Sequence, residues 1–202
     1  MNLIFGLDAG SNTGAEGELD AAAGRVAAHT TAQFAAPAEA VGTATGPRRL
    51  MALGDGGAIL GHATEDGVRL ALIGVLFAAP PGWSGPAAPL EDPEATARYL
   101  LARYRAEGAG FLDGLEGQFA VALQDDAAGR TILAVDPAGI RALWVRERPG
   151  GGLDFASNLG TLAAALGAGL ALDRGAEDFF LMHGFFPDGR TPFAGIRALA
   201  PG

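Results

Sequence analysis

The chain has 202 residues, enough for one domain with a sizeable core. A net charge of -9 and a pI near 4.7 leave no cationic surface for nucleic acid or for an anionic membrane, so neither partner is expected. The absence of cysteine excludes disulfides, thiolate metal ligands and any thiol nucleophile. Ala and the 32 glycines supply little buried area, so the core has to rest on Leu, Ile, Val and the 11 phenylalanines. Met1 to Asp8 lacks a basic and apolar leader, and the longest apolar run, Leu70 to Pro81, is too short to span a bilayer; the expected location is the cytoplasm.

In chain order, Leu3 to Leu7 reads as a buried strand and Gly10 to Gly17 as a loop. No element is assigned between Gly17 and Ala32, and Ala32 to Pro47 reads as mostly irregular. Leu50 to Leu53 and Ala58 to Gly61 are two short strands around the turn Gly54-Asp55-Gly56-Gly57. Leu70 to Phe77 has the length of a buried central strand, and Ala78 to Pro89 is a Pro/Gly loop. A helix then starts at the cap Asp92, with Pro93 and Glu94 in its first turn, and stops at Gly108. Ala97, Leu100, Leu101 and Tyr104 form its buried stripe, and Phe111, Leu112 and Leu115 anchor a short turn after it.

From Gly117 the period becomes strand-like: Phe119 to Leu123, a turn at Asp125 to Gly129, Thr131 to Val135, Ala142 to Val145, a turn at Pro149 to Gly152, and Leu153 to Ala156. These are read as one antiparallel meander. Helices at Gly160 to Leu166 and Arg174 to His183 follow. Strands, helix, strands, helices in that order predict an α+β layered domain rather than an alternating parallel one.

Four stretches carry a family pattern: Leu115-Glu116-Gly117-Gln118-Phe119-Ala120 running to Asp125; Val135-Asp136-Pro137-Ala138-Gly139-Ile140-Arg141-Ala142-Leu143-Trp144; Phe155-Ala156-Ser157-Asn158; and the tail Phe185 to Gly202 with its final Pro201-Gly202. In order and spacing, from Leu112 onward, they resemble the amino-terminal domain of asparagine synthetases and other class II glutamine amidotransferases. The first half is similar only through Leu3-Ile4-Phe5-Gly6 and Leu70-Ala71-Leu72-Ile73-Gly74. The resemblance implies an N-terminal-nucleophile-hydrolase-like four-layer αββα sandwich of two antiparallel sheets, spanning residues 1–202. It also implies a synthetase domain, in cis or in trans, that uses ATP and Mg to form an amide; the chain is expected to stop before it.

The family's nucleophile is a cysteine directly after the initiator methionine, with the freed amine as its base. Here that position is Asn2, whose amide is no nucleophile and whose size disfavours methionine removal. The family's oxyanion-holding Asn-Gly pair corresponds to Ile73-Gly74, which leaves only the Gly74 backbone N–H as a substrate-binding group. The Arg-Gly-Pro-Asp motif that grips the substrate carboxylate is absent, Gly46-Pro47-Arg48-Arg49 having the wrong order. The aspartate that grips the α-amino group corresponds to a position near Thr96, and neither Asp92 nor Glu94 takes that role. No catalytic residue is therefore expected in this chain. Gly117, Gly139 and Gly195 read as positions set by backbone geometry, Phe119, Trp144 and Phe155 as core, and Asp136 as a turn acceptor.

Weaker signals stand beside these. Gly151-Gly152-Leu153-Asp154 lacks the flanking serines and the strand-to-helix setting of a pyrophosphate loop. His29, His62 and His183 lack ligand spacing, so no metal is expected, and Asp125-Asp126 reads as a solvated turn. Cleavage before Ser11 could expose a new nucleophile, but it would leave the first strand upstream of it, opposite to the family's arrangement.

The expected function is that of a non-catalytic domain in an asparagine-synthetase-like amide-forming protein, of the kind found in lasso-peptide macrocyclases and β-lactam-forming synthetases. It would support the synthetase domain, or bind the precursor peptide or a biosynthetic partner protein, with no cofactor of its own. The alternatives are a stand-alone binding or scaffold module and a glutamine-hydrolysing asparagine synthetase domain.

Overall fold

The computed structural model describes residues 2–10, 15–34, 38–40, 46–54, 59–78, 92–149 and 151–202. Among these residues, ten strands and four α-helices follow the order β1 (Leu3–Asp8), α1 (Glu16–Phe34), β2 (Ala38–Ala40), β3 (Arg48–Leu53), β4 (Leu60–Glu65), β5 (Val68–Leu76), α2 (Pro93–Glu107), β6 (Gly117–Asp125), β7 (Arg130–Val135), β8 (Trp144–Arg148), β9 (Gly152–Ala156), α3 (Leu159–Leu166), α4 (Arg174–His183) and β10 (Ile196–Ala198). A 3₁₀ turn at Gly108–Leu112 follows α2. One sheet has the order β10-β8-β9-β1-β3-β2, the other β4-β5-β6-β7, and every pairing is antiparallel.

The two sheets stack, and helices cover both outer faces, which is the αββα sandwich expected from the sequence. Strand alternation assigns each residue to a layer. Leu3, Phe5 and Leu7 of β1 pack under α1 and α3 with Leu19, Val26 and Leu162. Ile4 of the same strand points the other way, into the space between the sheets with Ala71, Ile73, Ala120, Ala122 and Phe155. Leu70 and Leu72 of β5 and Phe119, Val121 and Leu123 of β6 meet Leu100, Leu101 and Phe111 on the opposite side. Central strands buried on both faces need continuous apolar runs, and this is why β1, β5 and β6 are legible in the sequence.

The inter-sheet space holds Ala52, Ala71, Ala120 and Ala122 beside larger side chains such as Ile4, Ile73 and Phe155. Gly6 belongs here: a methyl group on it would sit 2.1 Å from the Phe155 ring of the neighbouring strand. Gly6→Ala is therefore expected to cost about 2–3 kcal/mol by forcing that ring from its place. A shift of the denaturant midpoint worth less than about 0.5 kcal/mol would show that the ring can yield.

The ends of α2 follow the sequence reading. Asp92 accepts the Ala95 N–H at 2.9 Å, and the Gly108 N–H closes on the Tyr104 carbonyl. All four predicted stripe residues are buried. The three glycines read as geometric are so for two reasons. Gly139 and Gly195 take φ of 65° and 78°, whereas a side chain at Gly117 would meet the Val75 carbonyl at 2.4 Å. Phe119 and Phe155 are buried and Trp144 half-buried.

Three readings require correction. The supposed meander is divided: β6 and β7 belong to one sheet, β8 and β9 to the other, because the chain crosses layers between Val135 and Trp144. Helix α1 occupies a stretch to which the sequence assigns no element. Its buried stripe, Leu19, Ala22, Val26 and Thr30, holds only two large apolar side chains, and Thr30 returns its hydroxyl to the Val26 carbonyl at 2.9 Å. The stretch Ala32 to Pro47, read as mostly irregular, holds the end of α1 at Phe34 and the short β2, which pairs with β3. Strand β4 runs to Glu65, well past Gly61, and β8 begins at Trp144 rather than Ala142; both are short strands whose extent is set by their partners. The turn residues Asp55 to Gly57, the loop from Ala79 onward, Ser11 and Gly150 lie outside the described residues.

An ionic network closes one end of the sandwich. The Asp8 carboxylate accepts from Arg48 Nε (3.0 Å), from the Thr131 hydroxyl (2.6 Å) and from the Gly10 N–H (2.8 Å). Arg69 donates to Asp126 at 2.7 Å, so the turn read as solvated is tied to a buried arginine. Burial is the main reason the Arg69 guanidinium falls below its ordinary pKa, with Arg48 and Arg49 adding to the effect against the opposing pull of Asp126. Gln124 Nε2 bridges the layers by donating to the Leu7 and Arg49 carbonyls. No helix among the described residues is long and apolar enough to cross a membrane.

Candidate functional site

At the other end of the sandwich, a cavity of about 370 Å³ opens at the head of β1. Asn2, Arg141 and Ser157 supply its polar wall, and Leu3, Ile59, Ile73 and Ile140 its apolar wall. Asn2 precedes β1 directly and lies over Gly54 at the end of β3, where any side chain would collide with its Oδ1. That oxygen is buried and has no hydrogen-bond partner.

The sequence-derived positions Asn2 and Ile73 both line this cavity, Asn2 just ahead of β1 and Ile73 on β5 of the opposite sheet. Ile73 is 4% exposed and packed in the inter-sheet core, so it offers the cavity an apolar surface and no donor. Gly74 has φ of 130°, and its N–H donates to the Ile59 carbonyl at 2.7 Å. The backbone donor read as a substrate contact is therefore engaged within the β4–β5 edge.

Arg141 and Ser157 stand in the family-like stretches, where the sequence assigns a role to neither. Ser157, just after β9, fastens β1 twice: its hydroxyl accepts the Ile4 N–H and its own N–H reaches the Ile4 carbonyl, both at 2.9 Å. Arg141 is presented by the loop between β7 and β8. Asp136 organises that loop, its carboxylate accepting the N–H groups of Ala138 (3.1 Å), Ile140 (3.1 Å) and Arg141 (2.9 Å). Burial by itself would raise the Asp136 pKa; the backbone N–H donors outweigh it and hold the carboxyl below the usual aspartate range. The turn acceptor expected at Asp136 is thus present, with a larger share of the loop depending on it than a simple turn requires.

Other candidates lie elsewhere. Arg48 and Arg49 belong to the ionic end and not to the cavity. Thr96 is buried in the first turn of α2, where its hydroxyl donates to the Asp92 carbonyl. Gly151 to Asp154 form a hairpin turn and the start of β9, with Asp154 buried against Arg148 at 2.7 Å, so this stretch is no phosphate loop. The three histidines fall on α1, β4 and α4, and no group of metal-binding side chains gathers among the described residues.

Residues 94–202 match the family model described as a glutamine amidotransferase domain. No curated protein matches the chain. Among solved structures, glutamine phosphoribosylpyrophosphate amidotransferase from B. subtilis, complexed with ADP and GMP, is similar at 15% identity and a TM-score of 0.44. That alignment covers 81% of this chain and 43% of the other, so the chain spans less than half the length of that protein.

Proposed function

Since the chain belongs to the glutamine amidotransferase domain family, we propose that it is a non-catalytic member, working as the amidotransferase-type domain of an ATP-dependent, asparagine-synthetase-like amide-forming protein. The macrocyclase type that closes lasso peptides is the favoured setting. The observation that supports this is Asn2 at the head of β1 beside Ile73. A carboxamide nitrogen has its lone pair delocalised into the carbonyl and does not attack a γ-carboxamide carbon. The position that must stabilise the resulting oxyanion is a hydrocarbon. Where the amine comes from the substrate itself, a domain of this kind is spared glutamine hydrolysis. It serves the synthetase domain as support, or contributes to binding a precursor peptide or partner protein. ATP and Mg belong to that synthetase domain, in cis or in trans.

The test is ammonia release from glutamine by the purified chain and by Asn2→Cys. Both are expected at the level of buffer, because a thiol restored at residue 2 still faces Ile73. Sustained release by the unaltered chain would overturn the proposal.

A further inference from the structure

Helix α4 differs from the rest of the fold in what it exposes. Seven large apolar side chains are exposed among the described residues, and five of them fall between Leu172 and Phe185: Leu172 (42%), Phe180 (41%), Leu181 (81%), Met182 (73%) and Phe185 (57%). A cluster of this kind marks an interaction surface, where scattered single residues would not. Of the ten helical residues only Ala176 is buried. It fixes the inward direction, and at about 100° per residue Arg174, Asp178, Leu181 and Met182 lie on the opposite face. That face is charged toward its N-terminal end and apolar toward its C-terminal end. The patch is held in place at both ends. Asp173 caps the helix by accepting the Ala176 N–H, and Arg190 Nη2 grips the same carboxylate at 2.6 Å. At the far end Phe180 stacks on Phe186 with ring centroids 4.7 Å apart, and Phe179 meets Phe185 edge-on at 5.4 Å. A preformed apolar surface loses little side-chain freedom when it is covered.

We propose that α4 is a self-association surface, covered by α4 of a second copy of this chain about a two-fold axis. Area supports this occupant. The five exposures together equal about three fully exposed side chains, on the order of 600 Å². Burying that much on both copies removes roughly 1,200 Å², just above the roughly 1,000 Å² that a specific interface needs. The charge pattern places the axis. An axis at the middle of the helix would bring the two copies of Asp178 together and set Arg174 on Met182. An axis at Leu181 and Met182 instead faces the apolar halves on each other. It also carries each Arg174 past the carbonyl end of the opposite helix, the negative pole of its dipole. The Arg174 side chain is 80% exposed, as this requires. Such an interface is isologous and closes at two chains. It shares no residue with the cavity at the head of β1, so it goes beyond the catalytic reading and does not depend on it.

The experiment follows the mass of the purified chain by sedimentation and light scattering from about 1 to about 300 µM, the range suited to an interface at the small end of the specific class. The mass is expected to rise from one chain toward two and no further. Leu181→Asp is expected to weaken association at least about tenfold. Its circular dichroism spectrum should not change, since the side chain it replaces is 81% exposed. Should it lose its fold, Met182→Asp replaces it with the same expectation. Phe77→Asp alters an exposed apolar residue outside the patch and is expected to leave association unchanged. The chain has no cysteine, so Leu181→Cys carries a single thiol. Near a two-fold axis that thiol faces its own copy, and oxidation by copper phenanthroline is expected to join two chains through a disulfide. Phe77→Cys is expected to remain uncoupled. A one-chain mass over the whole range overturns the proposal and assigns the patch to a different protein. A two-chain mass that the patch variant leaves intact, or failure of Leu181→Cys to couple, overturns it as well.

Discussion

Arg48→Met is expected to lower the stability of the domain by about 3–5 kcal/mol, the cost of breaking a buried ion pair from one side. Arg48 is 5% exposed and its Nε is 3.0 Å from Asp8, itself 7% exposed. Methionine matches the length of the arginine stem but leaves the Asp8 carboxylate facing the inter-sheet space with only Thr131 and the Gly10 N–H for support. For a domain of this size the loss corresponds to a fall of about 10 °C in the thermal midpoint. Adding Asp8→Asn to Arg48→Met removes the stranded charge, so the double variant is expected to be more stable than the sum of the single losses implies. Arg174→Met supplies the contrast. Its partner Glu177 lies 2.9 Å away, but the arginine side chain is 80% exposed, and a change of about 0.5 kcal/mol or less is expected. An Arg48→Met midpoint within about 2 °C of the unaltered chain would show that the network at this end stabilises nothing.

Asp136→Asn is expected to cost about 2–4 kcal/mol at neutral pH, because three backbone N–H groups lose a charged acceptor and the new amide turns its own N–H groups toward some of them. The effect depends on pH in a definite direction. The Asp136 carboxyl is held below the ordinary aspartate value of about 3.9 in the folded chain. Its contribution is therefore fully present above that value and is lost as pH falls through the lower, folded one. The gap between the two proteins, measured by urea unfolding, should be constant from about pH 8 to about pH 5 and should narrow below about pH 4. A gap that stays the same at acid pH would mean that the introduced amide disturbs packing and that charge has no part in it.

Much of the fold is legible in the sequence, and the parts that are not share a cause. The helix from Pro93 to Glu107 can be read because its cap, its first-turn proline and its terminal glycine each act on neighbours within a few residues. β5 and β6 can be read because strands buried on both faces must be apolar throughout. Arg69 misplaces the boundary of β5, since a charge reads as surface until its partner Asp126, 57 residues away, is seen beside it. α1 escapes detection because its inward stripe is half alanine and threonine, small side chains that suffice only when a sheet lies directly beneath.

The cavity shows the same division. Asn2 and Ile73 are found through the family likeness, and both reach it. Arg141 and Ser157 lie within recognised stretches, but no local signal distinguishes an arginine aimed into a cavity from one in solvent.

What the sequence by itself determined was the family likeness of the second half, the α+β character, the capped helix and the absence of any thiol. These follow from residue chemistry and from forces acting over one or two turns of chain. Only the tertiary structure decided that β6–β7 and β8–β9 separate into different sheets, that Arg48, Arg49 and Arg69 are buried, and that Asn2, Arg141 and Ser157 share one cavity. Those outcomes depend on contacts between residues far apart in the chain, as between Ile4 and Ser157, 153 positions away. Their energies exist only once the two sheets have closed on each other.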